Sequence, residues 1–356
     1  MFTGGSRVSR LVGPLLTLLR AAEMKLSLLR RRLMPAEIVA FEDCTAAWFS
    51  SALATAVLLE LPQRVDGSVA LTSLAEECGV EPEALRRLLR VLISHGYFAW
   101  EGTERVVQTS QSKALLPGRA GHFCRLQGLE WYRRCFRPEG VRRAMGEGEH
   151  PFKVLAGEHF FEHTQSHPER GVLFAEAMAE ITNFVSPWLA PILDIRPGAR
   201  VLDVGGGNGK LCREMAECFP DARFAVLDSY SEVGEVGVER LQGDFLEQVP
   251  PGFDHLILKN ILHDWDDSQA LSILRNCASA VGEGGQLSVI ELVLPECGGR
   301  IGYRDFQVDW NVYCTLGGKE RTRKEYRELL ASAGWELLGA RPTATPLWVL
   351  QAQRRR

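Results

Sequence analysis

Nine cysteines are scattered from Cys44 to Cys314, yet none stands in a CxxC pair. That absence excludes a thioredoxin-like redox motif and a zinc-ribbon ligand set. The odd count argues against a closed disulfide framework, so reduced thiols in a cytoplasmic protein are expected. Positive charge is not in excess: 41 Lys and Arg against 45 Asp and Glu give a formal net charge of −4, which leaves no nucleic-acid footprint. No apolar run reaches roughly 18 residues, so no membrane-spanning helix is expected. No compact cluster of metal-ligating residues stands out, and no metal is assigned. At 356 residues, the chain has room for two domains or one domain with a large extension.

Basic residues do gather at the N-terminus, where Arg7, Arg10, Arg20 and Arg30 to Arg32 are interleaved with leucines at helical spacing. Arg20 and Lys25 interrupt the apolar stretch and no small-residue cleavage site follows, which argues against a signal peptide. Residues 1–36 read as a basic amphipathic extension that packs on a partner subunit in preference to an anionic membrane surface. Residues 37–190 read as mostly helical. Within them "LTSLAEECGVEPEALRRLLRVLISHGYF" predicts a helix, a turn at Gly79 and a second helix from near Pro82. "FAWEGTERVVQTS" then predicts a hairpin turning at Glu101-Gly102. Together these make a winged-helix-like module. Arg86, Arg87 and Arg90 on its second helix are of a type that meets phosphates, but Leu85, Leu88, Leu89 and Leu92 and the acidic balance point to packing or dimerisation.

From about residue 191 apolar strands alternate with helical segments: "RVLDV", "RFAVLD", "DHLILK", "QLSVIELV", "WELLGARPT" and "LWVLQAQ". This is the pattern of a doubly wound parallel sheet, in an α/β, Rossmann-like fold of seven strands. Such sheets bind ligands beyond the carboxyl ends of their strands. The first strand runs into "VLDVGGGNGKL". A GxGxxG frame fails because Lys210 or Asn208 falls on a glycine position. A P-loop fails because Val204 and Leu211 occupy required positions. What fits is Asp203, Gly205, Gly207 and Gly209 as DxGxGxG, with glycines that let a backbone approach a ligand closely and a carboxylate for an ammonium group. The second strand ends on Asp228, where an acid pairs with ribose hydroxyls. The third leads to Asp244 and Phe245, suited to the edge and face of a flat base. Together these residues predict a nucleoside joined to an amino acid, which is S-adenosyl-L-methionine.

"VLDVGGGNG", "QGDFL", "LKNILHDWDDSQALSILRNC", "VIELVLPE" and "GGKERTRKEYRELLASAGW" resemble the small-molecule O-methyltransferases of the class I S-adenosylmethionine-dependent superfamily, over about Cys44 to Gln353. The resemblance implies a homodimer with a helical N-terminal dimerisation and lid domain, and a methyltransferase domain over 191–356. It implies His263 as general base, assisted by acids at Glu291 and Glu320. It also implies Trp265 against the adenine and Lys259 near the polar atoms of the cofactor. A phenol with a pKa near 10 is mostly protonated at neutral pH, and a histidine with a pKa near 6.5 can take its proton. The expected substrate is a hydroxylated aromatic secondary metabolite in a pocket walled by Trp131, Phe174, Met178 and Trp310. His159 and His163, flanking "FFE", read as surface or interface residues. One departure is the short "SYSEVGEV" link after Asp228, where the family has a full helix, so the adenosine wall is expected to be irregular. The alternative readings are a cofactor-binding relative catalysing decarboxylation, hydroxylation, rearrangement or C-methylation, and a non-enzymatic winged-helix regulator.

Overall fold

The computed structural model describes residues 7–229, 238–296 and 303–355; most of the short link after Asp228 lies outside them. Two compact units share the chain. One comprises residues 25–134 and 164–181, the other 1–24, 135–163 and 182–356. Among the described residues no helix is long and apolar enough to cross a membrane.

In the first unit the helix Leu71–Cys78 stops at Gly79, whose φ of +66° is the left-handed cap that glycine takes at least cost. The second helix, Pro82–Ser94, starts with proline in its first turn, where the missing N–H is not needed. Strands β1 (Ser68–Ala70), β2 (Phe98–Glu101) and β3 (Arg105–Gln108) form an antiparallel sheet in the order β1-β3-β2. Leu71, Leu74, Leu85, Leu89, Leu92, Phe98 and Val106 make its core, which completes the winged-helix pattern. Arg86 is committed to Glu104 (2.7 Å) and stacks over Trp100, and Arg87 faces Glu83. Of the three arginines that matched a phosphate-binding helix, Arg86 is thus engaged by the hairpin, while Arg87 pairs along its own helix. Glu180, almost fully buried, accepts N–H bonds from Gly118, His122 and Phe123 at 2.8 to 3.1 Å, which neutralises the orphan donors at the start of the helix Gly121–Gly128.

The second unit is built on one sheet. Its strands are β4 (Arg200–Val204), β5 (Arg223–Asp228), β6 (Glu239–Gln242), β7 (His255–Lys259), β8 (Gln286–Leu294), β9 (Arg321–Thr322), β10 (Trp335–Pro342) and β11 (Leu347–Arg354). The order is β10-β11-β8-β7-β4-β5-β6, seven strands, with two-residue β9 paired beside the end of β8. β4, β5 and β7 are buried along nearly their whole length, as strands covered on both faces must be. Leu202, Val204, Leu256, Leu258, Leu287 and Val289 alternate onto one face, where Ile273, Leu274 and Cys277 from the helix Asp267–Ala280 and Tyr326 and Leu330 from Arg323–Ser332 pack on them.

The sheet is mixed, where the strand pattern alone predicts a parallel one. β11 runs antiparallel to both β8 and β10. The reason is the connector: only residues 343–346 separate β10 from β11, and a parallel pair would need a crossover of a dozen or more residues. β4 has β5 on one side and β7 on the other, so the strand order reverses there. The crevice at the carboxyl ends of β4 and β7 is therefore the expected ligand site.

Candidate active site

β4 leaves the sheet through Gly205, Gly207 and Gly209, with φ of +74°, +59° and +86°. Only glycine adopts three such angles in five residues without strain. Close approach requires it as well: a Cβ on Gly205 would stand 2.5 Å from the Ile261 side chain, whereas one on Gly207 would meet nothing within 4 Å. The loop therefore leans on β7's exit at one point and opens a backbone concavity at the next. The Gly207 N–H donates to Asp228 Oδ2 at 2.8 Å. From β6, Arg240 donates to the carbonyls of Asn208 (3.1 Å) and Gly207 (3.3 Å). Asp203 is buried, and burial pushes its carboxyl up to about 7; the Lys259 ammonium opposes that rise and Asp228 adds to it. Lys259 itself is pushed below the usual lysine range by burial, which Asp203, Glu291 and Asp264 oppose.

Beyond β6, Asp244 is exposed and its Oδ1 accepts the Leu246 N–H at 2.8 Å, capping its own turn. Asn276 holds that turn in place, donating to the carbonyls of Phe245 (3.0 Å) and Leu246 (2.9 Å). Phe245 meets Trp265 edge-on at 6.2 Å between ring centres, and Phe161 stacks on Trp265 at 5.9 Å.

β7 ends at Lys259. Asn260 follows with φ of +53°, and a 3-10 turn over Leu262–Asp264 presents His263. Its Nδ1 lies 2.7 Å from Glu320 Oε1 and 3.7 Å from Glu291 Oε2, and its Nε2 lies 3.2 Å from Asp264 Oδ1. Burial alone would lower the pKa of the imidazole, but Glu320, Glu291 and Asp264 outweigh it and raise it well above the ordinary value. Burial also raises Asp264, to about 7, against the pull of His263. The two glutamates do different things. Glu320 holds the ring, while Glu291, which is fully buried, accepts the backbone N–H of Ile261 (2.9 Å) and Leu262 (2.8 Å) with Oε1. Asp309 in turn accepts the Glu320 N–H at 2.8 Å. His263, Glu291 and Glu320 bring one ligand-type atom each within 4.8 Å of one another, but the 2.7 Å Nδ1···Oε1 contact is of hydrogen-bond length.

Asn260 Oδ1 and Trp265 Nε1, on the segment leaving β7, are buried with no hydrogen-bond partner among the described residues, as are Glu291 Oε2 and Glu320 Oε2 beside His263. Buried orphans of this kind are costly and are usually satisfied by a ligand or water. With the open Gly207 backbone and the desolvated Asp203, those of Asn260 and Trp265 form a chemically fitting receptor for a nucleoside carrying an amino-acid tail.

Trp131, Phe174 and Met178 belong to the first unit, where Arg170 lies over the Trp131 ring at 5.3 Å. Trp310 belongs to the second and lines a cavity of about 450 Å³ with Phe136, Pro138, Val141, Arg142 and Met145. His163, read from the sequence as a surface or interface residue, is buried, with Nδ1 2.6 Å from Glu158 Oε1 and its ring against Phe152; His159 is exposed. Burial follows from the helix Phe160–Ser166, which turns Phe160 and His163 to the same side at i, i+3. Asn260, Asn276, Arg240, Asp309 and Arg321 were not singled out in the sequence. Asn260, Asn276 and Arg321 stand inside quoted motif blocks, which was the available signal.

Residues 139–336 match the family model described as the O-methyltransferase domain. The chain is 31% identical to a mitomycin biosynthesis 6-O-methyltransferase of Streptomyces lavendulae, over 86% of this chain and 92% of that protein. It is 30% identical to a phenazine O-methyltransferase of Lysobacter antibioticus, over 90% and 97% respectively. A solved methyltransferase of calicheamicin biosynthesis in its SAH-bound form superposes with a TM-score of 0.76 at 25% identity, covering 89% of this chain and 97% of that one.

Proposed function

Since the chain belongs to the O-methyltransferase family and uses S-adenosyl-L-methionine, we propose that it methylates a hydroxyl of an aromatic secondary metabolite, with His263 as the general base. The observation that carries the base assignment is the 2.7 Å contact between His263 Nδ1 and Glu320. A ring held at Nδ1 by a carboxylate keeps that nitrogen as the N–H donor and leaves Nε2 to accept a proton. Glu320, Glu291 and Asp264 then stabilise the imidazolium that forms. When bound, S-adenosyl-L-methionine supplies an activated methyl group on a sulfonium. The chain supplies orientation, through the glycine turn and Asp228, and a place for the proton. Phe161, Phe245 and Trp265 give the flat apolar surfaces that an aromatic acceptor or a base requires. The phenazine relative is named for an aromatic ring system, which supports an aromatic acceptor here. Incubating the protein with the cofactor and a panel of phenols, with mass-spectrometric detection, tests the reading. Methyl ether and S-adenosylhomocysteine should appear in equal amounts, and turnover of an acceptor without methyl gain would point to the non-methylating alternative.

Two predictions attach to this reading. In the first, Asp203 receives the ammonium of the cofactor. Its free carboxyl is raised to about 7, and a cationic partner would bring it down. Cofactor binding should then release a proton, tighten as pH rises through 7 and weaken below it. Calorimetry in buffers of different ionisation enthalpy reads the proton directly, and buffer-independent heats would remove Asp203 from that role.

The second concerns assembly. Leu26, Leu29, Leu33, Phe41 and Trp48 are all more than half exposed on the first unit, and apolar surface on this scale marks a partner site. We read it as the face of a two-fold homodimer formed by residues about 1 to 125, burying well above roughly 2,000 Å², with residues 1–36 contributing. Sedimentation of the full chain should give a dimer, and a chain beginning at Pro35 should dimerise less tightly. A monomeric full-length chain at micromolar concentration would overturn the assembly. Unchanged dimerisation of the shortened chain would return residues 1–36 to the membrane-surface reading.

A further inference from the structure

Arg321 has no exposed surface, although it sits in the highly charged run "GGKERTRKE". Burying a guanidinium costs several kcal/mol unless its donors are all used. Here they are used on one short stretch of backbone. Nη1 donates to the Leu262 carbonyl at 2.6 Å, Nη2 to the Trp265 carbonyl at 2.9 Å, and Nε to Asp267 Oδ1 at 3.0 Å. Between those two carbonyls, that of His263 accepts the Lys319 N–H at 2.9 Å. The approach is flush: a Cβ on Gly318 would fall 1.9 Å from the His263 carbonyl oxygen, so only glycine fits.

The turn is thus held from two sides. Glu291 takes its amides at 261 and 262, and residues 319–321 take its carbonyls at 262, 263 and 265. Within the turn only the Trp265 N–H reaches the Leu262 carbonyl, at 3.4 Å, so the closer partners of these carbonyls come from outside it. A planar fork of five N–H donors fixes two of them in direction as well as distance, which a single ammonium cannot do. Arg321 also follows Glu320 directly. The residue that holds the His263 ring and the residue that holds the His263 backbone therefore move as one piece of chain.

We propose that Arg321 is a positioning residue for methyl transfer, setting the place of the His263 ring against Glu320 by clamping the carbonyls of Leu262 and Trp265. This rests on the reading of His263 as the base. Displacing a reacting group by about 1 Å costs up to about 100-fold in rate. Arg321→Lys should therefore lower kcat by about tenfold or more on an ordinary phenol, with cofactor Kd changed by less than about threefold. Because the defect lies in proton removal, it should shrink on the nitro-substituted analogue of the same phenol.

The deciding readout needs no substrate. In the full-length protein with ¹⁵N-labelled histidine, the His263 signal is assigned by its loss in His263→Asn. Its titration midpoint should fall towards the free-histidine value in Arg321→Lys, as the ring loses its register with Glu320. A folded Arg321→Lys protein with wild-type kcat and an unmoved His263 titration would overturn the proposal, leaving Arg321 a purely structural residue. If Arg321→Lys does not fold, Arg321→Gln keeps a planar amide that can reach at most one of the two carbonyls, so the clamp on the turn is broken. A wild-type His263 titration in that variant would likewise overturn it. Equal losses in His263→Asn on the two phenols would sink the base reading instead, while the titration still decides whether Arg321 places the ring.

Discussion

Replacing His263 by alanine is expected to lower the rate of methyl transfer about 10²–10⁴-fold, the usual worth of a general base, and to leave cofactor affinity nearly intact. The geometry makes the expectation sharper than a bare loss of activity. Three carboxylates surround the ring and raise its pKa well above the ordinary value, so the neutral, proton-accepting form grows only as pH rises. The wild-type rate should climb with pH along a limb whose midpoint lies above about 6.5, and this limb should vanish in the variant. Stability should run the other way. A group whose folded pKa is raised contributes stability that is fully present below its unfolded pKa and lost as pH rises through the folded one. The difference in melting temperature between wild type and His263→Ala should therefore shrink at alkaline pH. Phenols acidic enough to be ionised already should be spared most of the loss. Equal losses on acidic and ordinary phenols would make His263 structural.

Removing the carboxylate of Asp228 should weaken S-adenosyl-L-methionine binding by about 1.5–3 kcal/mol, the range for hydrogen bonds to charged groups, or about 10- to 150-fold in Kd. Two effects are combined in that figure. The carboxylate is the expected partner of the ribose hydroxyls, and it already holds the Gly207 N–H at 2.8 Å. Asp228→Asn can keep the second bond through its amide oxygen while losing the charge, so its loss should be smaller than that of Asp228→Ala. Calorimetry on both variants separates the contributions. Affinity equal to wild type in Asp228→Ala would end the ribose assignment.

The glycine turn and the strand ends were legible in the sequence because backbone geometry leaves few choices. Three glycines at alternate positions after an apolar run suit a backbone at positive φ, and all three have it. The winged-helix turn at Gly79 was legible for the same reason. Other features depended on contacts that spacing does not encode. His263 and Glu320 are 57 residues apart, and only the resemblance joined them. Arg321 reads as a solvated charge in a charged run, because a sequence shows the donor but not the two carbonyls and the carboxylate that receive its N–H groups. The division of labour between Glu291 and Glu320 is set by side-chain reach and was invisible. The antiparallel end of the sheet had a readable signal, the four-residue connector before Leu347, but the alternation of strands and helices upstream masked it.

β11, the final strand, occupies an interior place in the sheet, between β8 and β10. Its residues 347–353 pair with 286–292 of β8, setting Trp348 opposite Glu291. Without β11, β8 has one bare edge, and an uncovered row of N–H and C=O groups invites pairing with other chains. The strand carrying Glu291 thus takes one of its long neighbours from a segment that folds onto it from far along the chain. Loss of residues 347–354 would remove not a tail but an interior strand, and β10, which pairs with β11, would lose its place in the sheet.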